Sequence, residues 1–164
     1  MQSLDERIIW VSILGVTFSG AVAPDDGLIW TDVEGWTGLP PARGDGDSIP
    51  GGHGRFRRSQ VLREARVITF KGSIFAADNF ELVEVRDRLE TALADGMGPM
   101  VVSTAATGAW ERWVEIDTLE IEPDHGRNFT SFTIDMIAPD PLRYTPLQVS
   151  NRVGLPQVEG GVRF

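Results

Sequence analysis

Cysteine is absent from this 164-residue chain. That excludes disulfides, thiolate nucleophiles and cysteine-held zinc or iron–sulfur clusters. Histidine occurs only twice, at His53 and His125, each beside glycine and with no HxH or HxxxH spacing. Gly44-Asp45-Gly46-Asp47-Ser48 looks like a fragment of a calcium loop. In that register the closing glutamate position is Phe56, so the loop is incomplete. No metal and no cofactor is expected. Basic residues are scarce too, 15 against 24 acids, for a net charge of −9. Such a balance argues against a dedicated binder of nucleic acid or anionic membrane. No uncharged apolar run reaches the roughly 18 residues that cross a bilayer, so no membrane insertion is expected. The start, Met1 to Arg7, carries Asp5 and Glu6 and lacks a basic leader segment, so no secretory signal is expected.

Nucleophile and phosphate signatures are missing as well. There is no GxSxG elbow, no SxxK, no P-loop and no GxGxxG. An enzyme is not expected. Asn128-Phe129-Thr130 spells a glycosylation sequon within a strand pattern and carries no weight without a secretory signal.

Glycine and proline are plentiful, 18 and 10 residues. Helical bundles tolerate that poorly, whereas β-rich folds with many turns accommodate it. Ile8 to Phe18 reads as one strand covered on both faces, with Gly15 as a bulge. Leu28 to Trp36 reads as its hairpin partner. Val61 to Ala76 reads as a long strand, and Pro99 to Thr104 as a short one. Ala109 to Glu122 alternates Trp110, Arg112, Val114, Ile116, Thr118 and Glu120 against Trp113, Glu115, Asp117, Leu119 and Ile121. It pairs with Arg127 to Ile137 in a second hairpin. Between these groups the period changes from 2 to 3.6. Asp78 with Glu81 forms a capping-box pattern, and Asp95-Gly96 is a stop signal, giving one helix from Asn79 to Ala94. Its apolar stripe is expected on Phe80, Val83, Leu89 and Leu93, joined by Leu82 and Ala92.

The expected fold class is α+β, mostly β: a β-sandwich or partly open barrel with one flanking helix at about 79–94. Residues 1–145 are expected to form this domain. Residues 146–164 are expected to be an extended linker toward a further domain, or a frayed tail.

Residues 35–54 hold seven glycines and three prolines, and their few apolar members cannot build a core. So long a loop in a compact domain points to function or to disorder. A basic cluster follows it, Arg55, Arg57, Arg58, Arg63 and Arg66, in an otherwise acidic chain. One use is self-association, with a basic strip of one copy meeting an acidic strip of the next; the other reading is a solvated edge. Of five tryptophans, Trp110 and Trp113 lie three apart on one strand and face opposite ways, so they cannot form one sugar platform. Burial in a core or at a subunit interface suits them better.

Three pieces recur in a known order. They are His53-Gly54, then Arg66-Val67-Ile68-Thr69-Phe70-Lys71-Gly72, then Ala138-Pro139-Asp140-Pro141-Leu142-Arg143-Tyr144. In this order the chain resembles the N-terminal domain of siphophage distal tail proteins, the actinobacterial-phage type, over about Ile8 to Leu155. The resemblance implies a tail-tube-like fold and a homo-oligomer, a hexameric ring. That ring would join the tail-tube protein to the tail-tip hub protein of a long non-contractile tail. It would enclose the tape measure protein and let DNA pass without specific binding. The chain would be made in the host cytoplasm and end in the virion. Residues implied at contacts between subunits or rings are Trp36, His53, Arg55, Arg57, Arg58 and Arg63. Relatives usually carry a galectin-like domain after a segment like Gly154-Leu155-Pro156. A tail-tube protein building stacked rings and a monomeric carbohydrate-binding β-sandwich are the alternatives.

Overall fold

The computed structural model describes residues 8–20, 27–43, 50–51, 53, 61–123 and 128–146. Seven strands and one helix follow in the order β1 (Ile8–Ile13), β2 (Val16–Ser19), β3 (Leu28–Glu34), β4 (Arg66–Phe75), α1 (Asn79–Leu93), β5 (Met97–Thr104), β6 (Gly108–Ile121) and β7 (Phe129–Ala138). They form one sheet in the order β1-β2-β3-β4-β7-β6-β5, and β5 pairs back onto β1. The sheet is therefore a closed barrel and not a sandwich. Alternation along a strand tells which residues share a face but not which distant strand lies beside it. The closing pair, Ile13↔Met100 through Ile8↔Thr104, joins segments about ninety residues apart.

The first apolar run is two strands, not one. It turns at Leu14 and Gly15, with φ of 49° and 86°. Two positive φ values make a tight two-residue hairpin, a conformation leucine disfavours. Tertiary packing holds it there. The Leu14 amide donates to the Pro99 carbonyl at 3.0 Å, and a Cβ on Gly98 would come within 2.9 Å of Leu14 Cγ. The hairpin partner of β1 is thus β2. β3 instead pairs antiparallel with β4 and meets β2 at a single parallel bridge, Ser19↔Ile29.

β4 and β6 also depart from the sequence reading. β4 starts at Arg66, because the chain just before it pairs with the Pro-rich segment, at the bridge Ala42↔Arg63. β6 carries a bulge between Ile116 and Thr118 that swaps faces. Arg112 and Val114 point inward before it. After it Leu119 and Ile121 pack on the core, and Glu120 is exposed.

The helix follows the capping-box expectation. The Glu81 amide donates to Asp78 Oδ1 at 2.8 Å, and Glu81 Oε2 accepts from the Ala77 amide at 2.7 Å. Its buried residues are Leu82, Val85, Leu89 and Leu93, an i, i+3, i+7, i+11 row. Phe80 lies outside that row and is 75% exposed. α1 follows β4 directly and covers that end of the barrel. No helix among the described residues is long and apolar enough to cross a membrane.

Inside, Phe18, Phe70 and Phe132 form a triangle with ring centroids 4.8, 5.6 and 6.1 Å apart. Gly72 makes room for it. A Cβ there would lie 2.4 Å from Phe132 Cζ and 2.6 Å from the Ile29 carbonyl oxygen. Ile68 and Phe70 fill the core, and Gly72 lets the third ring approach β4. Gly72→Ala is expected to lose about 3 kcal/mol of stability through overpacking, read as a lower urea midpoint; an unchanged midpoint would show that the ring can move aside.

Candidate interface at the arginine end of the barrel

The end of the barrel opposite α1 is covered by arginine and tryptophan. After β3 the chain turns at Gly35, φ 78°, where a Cβ would strike the Val67 carbonyl at 2.2 Å. This close approach turns Trp36 inward, to 3% exposure. Arg66, the first residue of β4, reaches across. Its Nη1 donates to the carbonyls of Gly35 and Thr37, and its Nη2 donates to that of Gly38. One guanidinium therefore holds three carbonyls of the loop base within four residues. Arg63 does the same one step further out, with Nη1 donating to the Pro40 carbonyl at 2.7 Å. Backbone bonds from Arg43 to Leu62 and from Glu64 to Pro41 close the neck.

Arg112 enters from β6. Its guanidinium carbon lies 4.6 Å from the centre of the Trp36 ring, a cation–π stack. It is only 4% exposed, and its Nε and Nη1 are buried without a hydrogen-bond partner among the described residues. Burial, with Arg66 and Arg143 nearby, pushes its pKa down to about 10, and Asp140 opposes that shift. The group stays charged at neutral pH. Burial also lowers the pKa of Arg66.

The segment after β7 completes this end. Tyr144 bridges to β6, with backbone bonds of 2.7 and 2.8 Å to Glu111. Arg143 is exposed and stacks over Trp110 at 4.8 Å. Asp140 Oδ1 accepts from the Leu142 amide at 2.9 Å, and its Oδ2 accepts from the Tyr144 hydroxyl at 2.7 Å. Arg66 and Ala138 are register partners. The second and third pieces of the sequence resemblance thus converge on one place. Three arginines gather there around one aspartate that is already engaged.

Of the residues expected at contacts, Trp36 lies within this end, buried inside the protomer, and Arg63 pins the loop neck. His53 is exposed. Arg55, Arg57 and Arg58 lie outside the described residues. Sequence reasoning passed over Arg112. The signal was present: Arg112 alternates in step with Trp110 and Val114, which puts a charge on the apolar face of a strand.

No family model and no curated protein matches the chain. Among solved structures, the crystal structure of SPP1 Dit (gp 19.1), a phage protein described as a paradigm of the hub adsorption apparatus in Gram-positive infecting phages, is similar. Its TM-score is 0.56 at 16% identity, covering 85% of this chain and 51% of that one. The chain thus spans about half the length of that protein, and it shares its fold.

Two measurements test this geometry. Arg66→Met removes the donors to three loop carbonyls and is expected to cost about 2–4 kcal/mol in denaturant unfolding. The chain has one tyrosine, so absorbance titration reads Tyr144 alone. Its hydrogen bond to Asp140, with burial and the carboxylate charge adding, raises its pKa above the ordinary 10.0. A raised folded pKa means that the contribution to stability is present below pH 10.0 and disappears as pH rises through the folded value. Asp140→Asn is expected to bring the titration midpoint down; an unmoved midpoint would refute the assignment.

Proposed function

We propose that the chain is a structural protein of a long non-contractile phage tail. Its copies close into a ring, hexameric in this reading, between the tail tube and the tail-tip hub. Tape measure protein and then DNA pass through the ring. The observation that carries the reading is the shared fold with a phage Dit protein over 85% of the chain. The ordered sequence pieces support it, since two of them build one end of the barrel. The acidic balance suits a channel wall, because a surface of net charge −9 per copy repels phosphates.

A cleft of about 360 Å³ between β2 and α1 is lined by Gly15, Val16, Thr17, Leu28, Arg88, Leu89 and Ala92. The tryptophans do not favour the carbohydrate-binding alternative. Trp36 is buried, Trp110 lies under Arg143, and Trp113 is exposed on the outer face of the same strand.

Solution mass of the purified chain with negative-stain imaging is the test. A particle several times 18.0 kDa with a central hole is expected. Open-ended stacks would make it a tube protein, and a monomer at all concentrations would refute the ring.

A further inference from the structure

We infer that the arginine end of the barrel is a carboxylate-binding site, and that its occupant is the acidic outer face of β6 on a second copy of this chain. The inference rests on the ring reading above. Its first ground is an imbalance. Arg66, Arg112 and Arg143 gather at one end against Asp140, whose two oxygens already accept from Leu142 and Tyr144. The second ground is independent of charge counting. Arg112 is 4% exposed, yet two of its nitrogens lack partners among the described residues. Buried donors without partners are costly, and folded chains satisfy nearly all of them. A site completed by another molecule accounts for leaving them.

The stacking says what that molecule offers. Arg112 on Trp36 and Arg143 on Trp110 use the flat faces of their guanidiniums. Stacking occupies the face and leaves the N–H edge, open to solvent on Arg143 and covered by the protomer's own atoms on Arg112; an open edge matches a planar carboxylate two bonds at a time. The tryptophans hold each fork in one orientation, so little side-chain freedom is left to lose on binding. The source of the carboxylate follows from the chain itself. Glu115, Asp117, Glu120 and Glu122 are exposed along β6 and its end. A head-to-tail contact joins two different patches, and a ring results when the rotation closes. A basic end and an acidic flank on one chain are such a pair. Nucleic acid fits less well, since its phosphates would approach a chain of net charge −9.

The site makes an unusual pair of expectations. Replacing a buried ion pair by apolar groups of similar volume is often neutral or stabilising, and a buried charge without an ion partner has less attraction to lose. Arg112→Met is therefore expected to keep or raise the thermal midpoint while weakening self-association at least tenfold, measured by light scattering across a dilution series. A midpoint lowered by more than about 5 °C would make Arg112 a plain structural plug and overturn the inference. So would wild-type assembly by the variant. The second arm uses exposed positions, with folding checked by circular dichroism. Arg143→Glu alone, and the triple Glu115→Lys, Asp117→Lys, Glu120→Lys alone, should each fail to assemble. Mixed one to one they should assemble, because alternating copies restore opposite charges at every contact. No recovery in the mixture overturns the pairing. Inorganic phosphate that raises the wild-type midpoint, spares the Arg112→Met midpoint and leaves association unchanged would make this a free-anion site and overturn the second copy as occupant. Wild-type protein that stays monomeric refutes the ring itself. Wild-type rings with normal Arg112→Met rings refute only this inference.

Discussion

Closing seven strands around three phenylalanines fixes the interior, and both open ends of the barrel must then be covered. The two ends are covered in opposite ways. At one, α1 lays an aliphatic row of Leu82, Val85, Leu89 and Leu93 against the core. This is ordinary hydrophobic burial, tolerant of small changes in angle. At the other, a charged pair and an indole do the covering, and tolerance is lost. Arg66 must reach carbonyls at Gly35, Thr37 and Gly38, and Arg112 must lie flat on Trp36. The path of the loop base follows from those contacts, and the segment after β7 closes the same end through Tyr144 on Glu111.

An apolar end would be the simpler solution for a protein that worked alone. Two guanidiniums at 5% and 4% exposure lose much of their hydration, and they repel each other. Arg66 recovers most of the loss through the loop carbonyls, with only its Nε left without a partner among the described residues. Arg112 recovers only part of it, through the face of Trp36. Such local inconsistency between stability and sequence is where function is sought in a fold that is otherwise consistent. It separates a residue that holds the protomer together from one whose full set of partners lies elsewhere.

Much of the architecture was legible in residue order. The helix and its caps, the second hairpin, and the strands on both sides of the helix followed from period and from turn residues. These signals are local: Asp78 and Glu81 act within one turn, and the β6–β7 pair is joined by a short connection. What could not be read was non-local. Leu14 takes a positive φ only because Gly98 leaves room for its side chain, and nothing near residue 14 announces that. The same limit hid the closure of the barrel, since β1 and β5 are distant in sequence. The site was half legible. Arg66 stood out by its place at the head of a recurring segment, and Trp36 by its setting in a Gly/Pro-rich stretch. Arg112 was disguised by the bulge after Ile116, because the face it shares turns polar at Thr118 and Glu120 when the alternation is carried straight on.

The barrel's seven seams are not equal. β4 and β7 share ten register pairs, whereas β2 and β3 share one, at Ser19 and Ile29. Opening the barrel at that point breaks almost no ladder and leaves the β4-β7-β6-β5 sheet whole. The molecule is thus a sheet with a latch. Amide hydrogens along the facing edges of Val16–Ser19 and Leu28–Glu34 belong to the low end of its range of opening energies and exchange with solvent ahead of those between β4 and β7. Fluctuations are channelled to one line on the wall, and the arginine end, anchored to β4, β6 and the strand after them, stays on the rigid side.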